Sequence, residues 1–156
     1  MVLLTKKKFC GIILESIMMV APVKQSSNME KISSIVVDHG KTLRKWDLRE
    51  EIIIDIELAM EEVLANIVLH GYENQSIDVR SEVHIDLTRT NEYVELTISD
   101  RGSFFDINCH NEINLGSYLN SPVNGGFGAS LIKKVMTEIQ CLRKNGTNIT
   151  ILRKRI

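Results

Sequence analysis

Glu62 and Asn66 stand four residues apart in the run Glu61-Glu62-Val63-Leu64-Ala65-Asn66-Ile67-Val68-Leu69-His70. On a helix, Glu62, Asn66 and His70 stack along one face, while Met60, Val63, Leu64, Ile67 and Val68 fill the opposite arc. A carboxylate one turn from a carboxamide can do two jobs. The carboxylate orients or deprotonates a hydroxyl, and the amide oxygen binds a hard cation such as Mg²⁺. Taken alone, the stretch reads first as a solvated polar face on an amphipathic helix; the rest of the chain shifts that balance.

Two further motifs carry chemistry. Asp100-Arg101-Gly102 follows an alternating apolar run. A carboxylate at a strand's end, beside a glycine that permits close backbone approach, can accept a hydrogen bond from an exocyclic amine such as that of adenine; an ordinary turn also places Asp there. Gly125-Gly126-Phe127-Gly128 opens an expected helix, where backbone N–H groups and the helix N-terminus suit a polyphosphate. The motif is neither a P-loop nor a Rossmann fingerprint, and a flexible loop before a helix has the same composition. Residues 102–132 hold no Lys or Arg. A triphosphate bound there must be met by backbone N–H groups and a metal ion, with Lys133 and Lys134 peripheral, and Asn66 is the best candidate ligand because Mg²⁺ takes oxygen donors and keeps several waters. His70 can bond the phosphate region or simply pack beside Gly71. Thr147 and Thr150 each bring a hydroxyl near the closing hairpin, where strand propensity also explains them. His39 reads as structural or exposed.

These residues need elements to hold them. A strand is expected over residues 11–20, ended by Pro22. Ser26, Ser27 and Asn28 are N-cap candidates for a helix reaching about Trp46. Asp47, with Glu50 three residues on, resembles a capping box for a second helix over Leu48 to His70, stopped by Gly71 and the loop Glu73-Asn74-Gln75-Ser76. Val83, Ile85 and Leu87, then Val94, Leu96 and Ile98, alternate as two strands around Thr90-Asn91-Glu92. Ser103 to Asn124 lacks periodicity and reads as a long functional loop. A helix from Ala129 to about Glu138 and strands over Ile139–Lys144 and Asn148–Lys154, joined at Asn145-Gly146, complete the chain. The order β-α-α-β-β-loop-α-β-β points to an α+β fold, a two-layer sandwich with helices on one face of a mainly antiparallel sheet.

With 156 residues, the chain fits one domain, placed over 12–156 behind an N-terminal extension over 1–11. A net charge of −1 gives no sign of direct nucleic-acid binding. Cys10, Cys109 and Cys141 form neither a disulfide framework nor a zinc pattern, so a reducing cytoplasm is expected. Glu15 interrupts the apolar run after Lys6-Lys7-Lys8 too early for a signal peptide, and no run approaches the ~20 apolar residues of a membrane span.

The ordered set resembles the GHKL ATPase superfamily with its Bergerat, histidine-kinase-like ATP-binding fold: E-x-x-x-N on a helix, D-x-G after a strand, a lid, a glycine-rich helix start and a final Gly-Thr hairpin. Within it, the wording Glu57 to Tyr72, Gly125 to Ile132 and Asn148-Ile149-Thr150-Ile151 is similar to the anti-sigma factor serine kinases of RsbW type, over roughly residues 12–154. The resemblance implies ATP and Mg²⁺ as cofactors, Asn66 as metal ligand, Asp100 as the adenine reader and Gly102, Gly126 and Gly128 as pocket-shaping residues. Gly125, Phe127 and Thr147 complete its nucleotide-binding set, and Glu62 is its catalytic base. It further implies transfer to a serine of a STAS-type anti-anti-sigma partner, a sigma factor as second partner, and a homodimer. Two departures stand out: Thr137 follows Met136 where the family often has Asp, and Ala129-Ser130 replaces a bulkier pair. A nucleotide-dependent partner switch without transfer activity would carry the same motifs. A detached ATPase domain of a sensor histidine kinase fits less well, because the chain before the E-x-x-x-N helix is too short for a phosphoacceptor hairpin and His39 is followed by Gly40.

Overall fold

The computed structural model describes residues 2–9, 12–22, 28–71, 82–110 and 127–156. Its elements are β1 (Val2–Phe9), β2 (Ile12–Pro22), α1 (Asn28–Arg44), α2 (Glu50–His70), β3 (Glu82–Arg89), β4 (Tyr93–Asp100), a 3-10 turn (Ile107–Cys109), α3 (Phe127–Val135), β5 (Glu138–Lys144) and β6 (Thr147–Arg155). The strands form one six-stranded sheet in the order β1-β2-β3-β4-β6-β5, with every neighbouring pair antiparallel. The fold is α+β, as the sequence pattern predicts.

Alternation decides what faces the helices. On β4, Val94, Leu96, Ile98 and Asp100 are all buried and their neighbours are not, so the period of two carries a carboxylate onto the end of the apolar face. β6 lies alongside, with Leu152 opposite Leu96, Thr150 opposite Ile98 and Asn148 opposite Asp100. Directly opposed residues share a face; β6 therefore also turns from apolar to polar at the end where Asp100 sits. The longest helix, α2, buries Ile52, Ile53, Ile56, Ala59, Met60, Val63, Leu64 and Ile67 in one core with these strands, α1 and α3. His39 on α1 is buried as well, its Nδ1 2.7 Å from the Ile35 carbonyl, and burial holds its imidazole below the usual histidine range.

Several expectations need correcting. α2 starts at Glu50, and its N-cap is Arg49, whose side chain makes no capping bond. Asp47 does not cap it. The chain leaves α1 through turn bonds from Lys45, Trp46 and Asp47 N–H to Thr42, Leu43 and Arg44 carbonyls, which bury Trp46 and leave Asp47 at φ 53°. β1 is a strand absent from the expected order: residues 2–9, within the expected extension, pair along β2, in a stretch whose Lys6-Lys7-Lys8 hides any alternation. The last helix runs from Phe127 to Val135, because Thr137 already donates its N–H to Arg153 and joins β5 to β6. The Thr137 hydroxyl accepts from the Arg155 N–H at 3.0 Å, a structural use for that departure. Within the expected long loop, Ile107 is buried on the 3-10 turn. Residues 111–124 of that loop, Gly125 and Gly126, and the expected caps and loop at Ser26, Ser27 and 73–76 lie outside the described residues.

Candidate functional site

An open cleft lies where α2, β4 and β6 converge. Val63, Asn66, Ile67 and His70 line one wall together with Gly71, because their spacing puts them on one side of a helix. Asp100, Asn148 and Thr150 form the sheet side, and Ser103, Phe104, Phe105 and Ile107 close the third. None of these lining residues is Lys or Arg.

The best-ordered chemistry is at Asp100. Its Oδ1 accepts from the Gly102 N–H at 2.6 Å and from Asn148 Nδ2 at 3.0 Å. The same Asn148 amide reaches the carbonyls of Gly102 at 3.1 Å and Ser103 at 3.3 Å. Gly102 is required here: a Cβ would fall 2.6 Å from the Gly71 carbonyl, which accepts the Ser103 N–H at 2.7 Å. The end of β4 is thus stitched to the end of α2. Burial raises the Asp100 carboxyl, against the lowering effect of Gly102, Asn148 and Arg143. A buried acceptor so held can take a hydrogen bond from an N–H edge of a ligand without reorganising.

Asn66 is half-buried on the opposite wall. Among the described residues, no group of three or more His, Cys, Asp or Glu side chains could hold a metal ion. The Asn66 carboxamide oxygen is a donor of the kind that Mg²⁺ takes beside waters and phosphate.

Glu62, one turn before Asn66, is half-buried but is not on the cleft lining. It abuts the first turn of α3, where a Cβ at Gly128 would collide with its carboxylate. Burial, and secondly the neighbouring Glu61, push the Glu62 carboxyl above its ordinary value. Phe127 opens α3. Lys133, in the last turn of α3, donates to the carbonyls of Asn108 at 3.2 Å and His110 at 2.5 Å, tying that helix to the 3-10 turn. Thr147 begins β6 opposite Lys144 and does not line the cleft, whereas Thr150 does. Asn148 stood in the quoted wording Asn148-Ile149-Thr150-Ile151 without a site role, and Phe104 and Phe105 escaped the motif reading. The signal for Asn148 was the alternation back from Leu152 through Thr150, which mirrors Ile98 and Asp100; the two phenylalanines sat in a segment without periodicity.

The family described as histidine kinase-like ATPase domain matches residues 26–154. Among curated proteins, none matches the sequence. Three solved structures share the fold at low identity. The RsbU and RsbW domains of Rv1364c from Mycobacterium tuberculosis align with 88% of this chain at 18% identity and a TM-score of 0.57, and the match spans 32% of that chain. The SiaB–SiaC complex from Pseudomonas aeruginosa contains a chain aligned over 94% of this one and 91% of its own length, at 14% identity and a TM-score of 0.58. The histidine kinase domain of the blue-light activated histidine kinase EL346 from Erythrobacter litoralis aligns over 79% and 60%, at 15% identity and a TM-score of 0.50. The chain therefore spans about a third of the first of these relatives and somewhat under two thirds of the last.

Proposed function

The chain belongs to the histidine kinase-like ATPase domain family, and we propose that it is an ATP-binding partner-switch protein that phosphorylates a serine on a STAS-type anti-anti-sigma partner. The observation that carries this reading is the placement of Asp100 and Asn66 on facing walls of one cleft, with Glu62 one turn along α2 against the start of α3. In that order, Asp100 reads the base, Asn66 serves the phosphates as ligand to Mg²⁺, and Glu62 waits beyond them. Bound Mg²⁺ would neutralise charge on the transferring phosphate.

Phosphoryl transfer asks a protein mainly for positioning and charge neutralisation. The bond between the γ-phosphorus and the β-phosphate oxygen breaks, the serine oxygen bonds to phosphorus, and ADP leaves. Glu62 orients the serine hydroxyl and takes its proton. The raised carboxyl makes Glu62 a better base than an exposed glutamate once ionised. The similar structures, an RsbW domain and a two-protein SiaB–SiaC complex, support a protein partner. We extend the reading to a sigma factor as second partner, a homodimer and a cytoplasmic setting. Among the described residues, no helix is long and apolar enough to cross a membrane.

The test is Glu62→Gln, assayed with ATP, Mg²⁺ and a candidate partner by intact-mass spectrometry. Transfer should fall at least about a hundredfold, the range of a lost general base, while ATP affinity stays within about twofold of wild type. Wild-type-like transfer would end the base assignment. A wild-type chain that binds its partner in an ATP-dependent way and leaves no phosphate on it would establish the non-catalytic switch instead.

A further inference from the structure

Among the described residues, four large apolar side chains stand exposed: Val37, Ile54, Leu69 and Phe104. Of these only Phe104, 44% exposed, lines the cleft. Apolar surface left open in a cleft that also presents a fixed carboxylate suits a ligand with a flat apolar face and a polar edge. The segment that displays Phe104 is pinned. Gly102 N–H donates to Asp100 Oδ1, the Gly102 and Ser103 carbonyls accept from Asn148 Nδ2, and Ser103 N–H is held by Gly71. Arg143 adds a bond to the Gly102 carbonyl at 3.3 Å.

Asn148 is the link. Its amide nitrogen meets three acceptors, Asp100 Oδ1 and the two carbonyls. The reversed amide would set its oxygen against all three, so the orientation is settled by chemistry. It is 5% exposed, and its Oδ1 is buried with no hydrogen-bond partner among the described residues, a cost that the nitrogen's three contacts offset. One amide thus fixes both the carboxylate and the backbone immediately before Phe104.

We propose that Phe104 is the stacking face of a purine subsite whose edge is read by Asp100, and that Asn148 is the positioning residue holding face and edge in register. This rests on the nucleotide reading above and adds to it a binding residue and a positioning residue. The two make separable predictions. Stacking tolerates any base because every base has a π-face, whereas a carboxylate held in place discriminates by the hydrogens it is offered.

The experiment is calorimetric titration of the full chain with Mg-ATP, Mg-inosine triphosphate, in which a carbonyl replaces the 6-amino group, and inorganic tripolyphosphate. Phe104→Ala should weaken both nucleotides about ten- to a hundredfold at an unchanged ratio and leave tripolyphosphate unaffected. Phe104→Trp should restore affinity and show indole quenching on ATP binding. Asn148→Thr should move the ATP-to-inosine-triphosphate ratio toward one, with tripolyphosphate again unaffected; if that variant does not fold, the Phe104 pair still decides the stacking face and Asn148→Ser is measured in its place. ATP affinity unchanged in Phe104→Ala overturns the inference alone, and so does a Phe104→Ala chain that loses only partner binding. A wild-type chain that binds neither nucleotide overturns the nucleotide reading and this inference with it.

Discussion

Glu62 is pushed up first by burial and then by the charge of Glu61 beside it. A base must be ionised to work, so phosphotransfer should fall as pH drops through the raised Glu62 value. Removing the neighbouring negative charge favours the ionised form and lowers that value. Glu61→Gln is therefore expected to move the acid limb of the transfer-rate profile to lower pH, with the neutral plateau unchanged. Stability follows with its own sign. A carboxyl raised by folding favours the folded state below its unfolded pKa, and that contribution is lost as pH rises through the folded value. Above that folded value the ionised Glu62 therefore costs stability, and there Glu62→Gln should melt no lower than wild type while losing transfer. An acid limb in the same place in Glu61→Gln would mean that another group titrates.

The β5–β6 hairpin brings Asn148 and Thr150 to the cleft, and its turn was readable at a glance. Asn145 and Gly146 both have positive φ, 52° and 79°, the geometry that Asn-Gly supplies between right-twisted strands. Among the described residues, no atom beyond the neighbouring residues lies within 4 Å of a Cβ placed at Gly146, so the cost of Gly146→Ala is mainly conformational, about 1 kcal/mol or somewhat more. For a domain of this size that lowers Tm by about 2–4 °C per kcal/mol, and Gly146→Asn should lose less. Calorimetric melting of the three chains checks this; equal Tm values would contradict the turn geometry. Asp47 shows the opposite case. Its spacing to Glu50 imitates a capping box, yet the turn that buries Trp46 extends through residue 47, and tertiary packing overrode the local signal. Residues 2–9 were misread for a related reason, since a strand with three consecutive lysines lacks the period of two that announces one.

At the scale of the whole chain, the positions of Asn66 and Asp100 on the cleft lining were legible because each sits on a regular element whose period fixes its face, while Gly102 follows β4 in a bend and was legible by its spacing from Asp100. Asn148 and Phe104 were not: one depends on the register of β4 against β6, the other on a loop, and neither is local information. The lack of cations was legible too, and the structure strengthens it. The described cleft lining holds no Lys or Arg, and Lys133 is engaged with the Asn108 and His110 carbonyls. A triphosphate carries several negative charges into that setting, so its binding should depend on a divalent ion more than in sites that contain a lysine. Ligand binding stabilises by mass action, about 2.7 kcal/mol at a hundredfold excess over Kd, or about 5–10 °C of Tm for this chain length. Mg-ATP at that excess should raise the melting temperature by this amount, and chelation with EDTA should remove more than half of the shift. Lys133→Ala should lower the melting temperature without nucleotide, since it unties α3 from the 3-10 turn, yet keep the increment that Mg-ATP adds. A shift that survives EDTA intact and disappears in Lys133→Ala would assign the charge neutralisation to the lysine and remove Asn66 from its place as metal ligand.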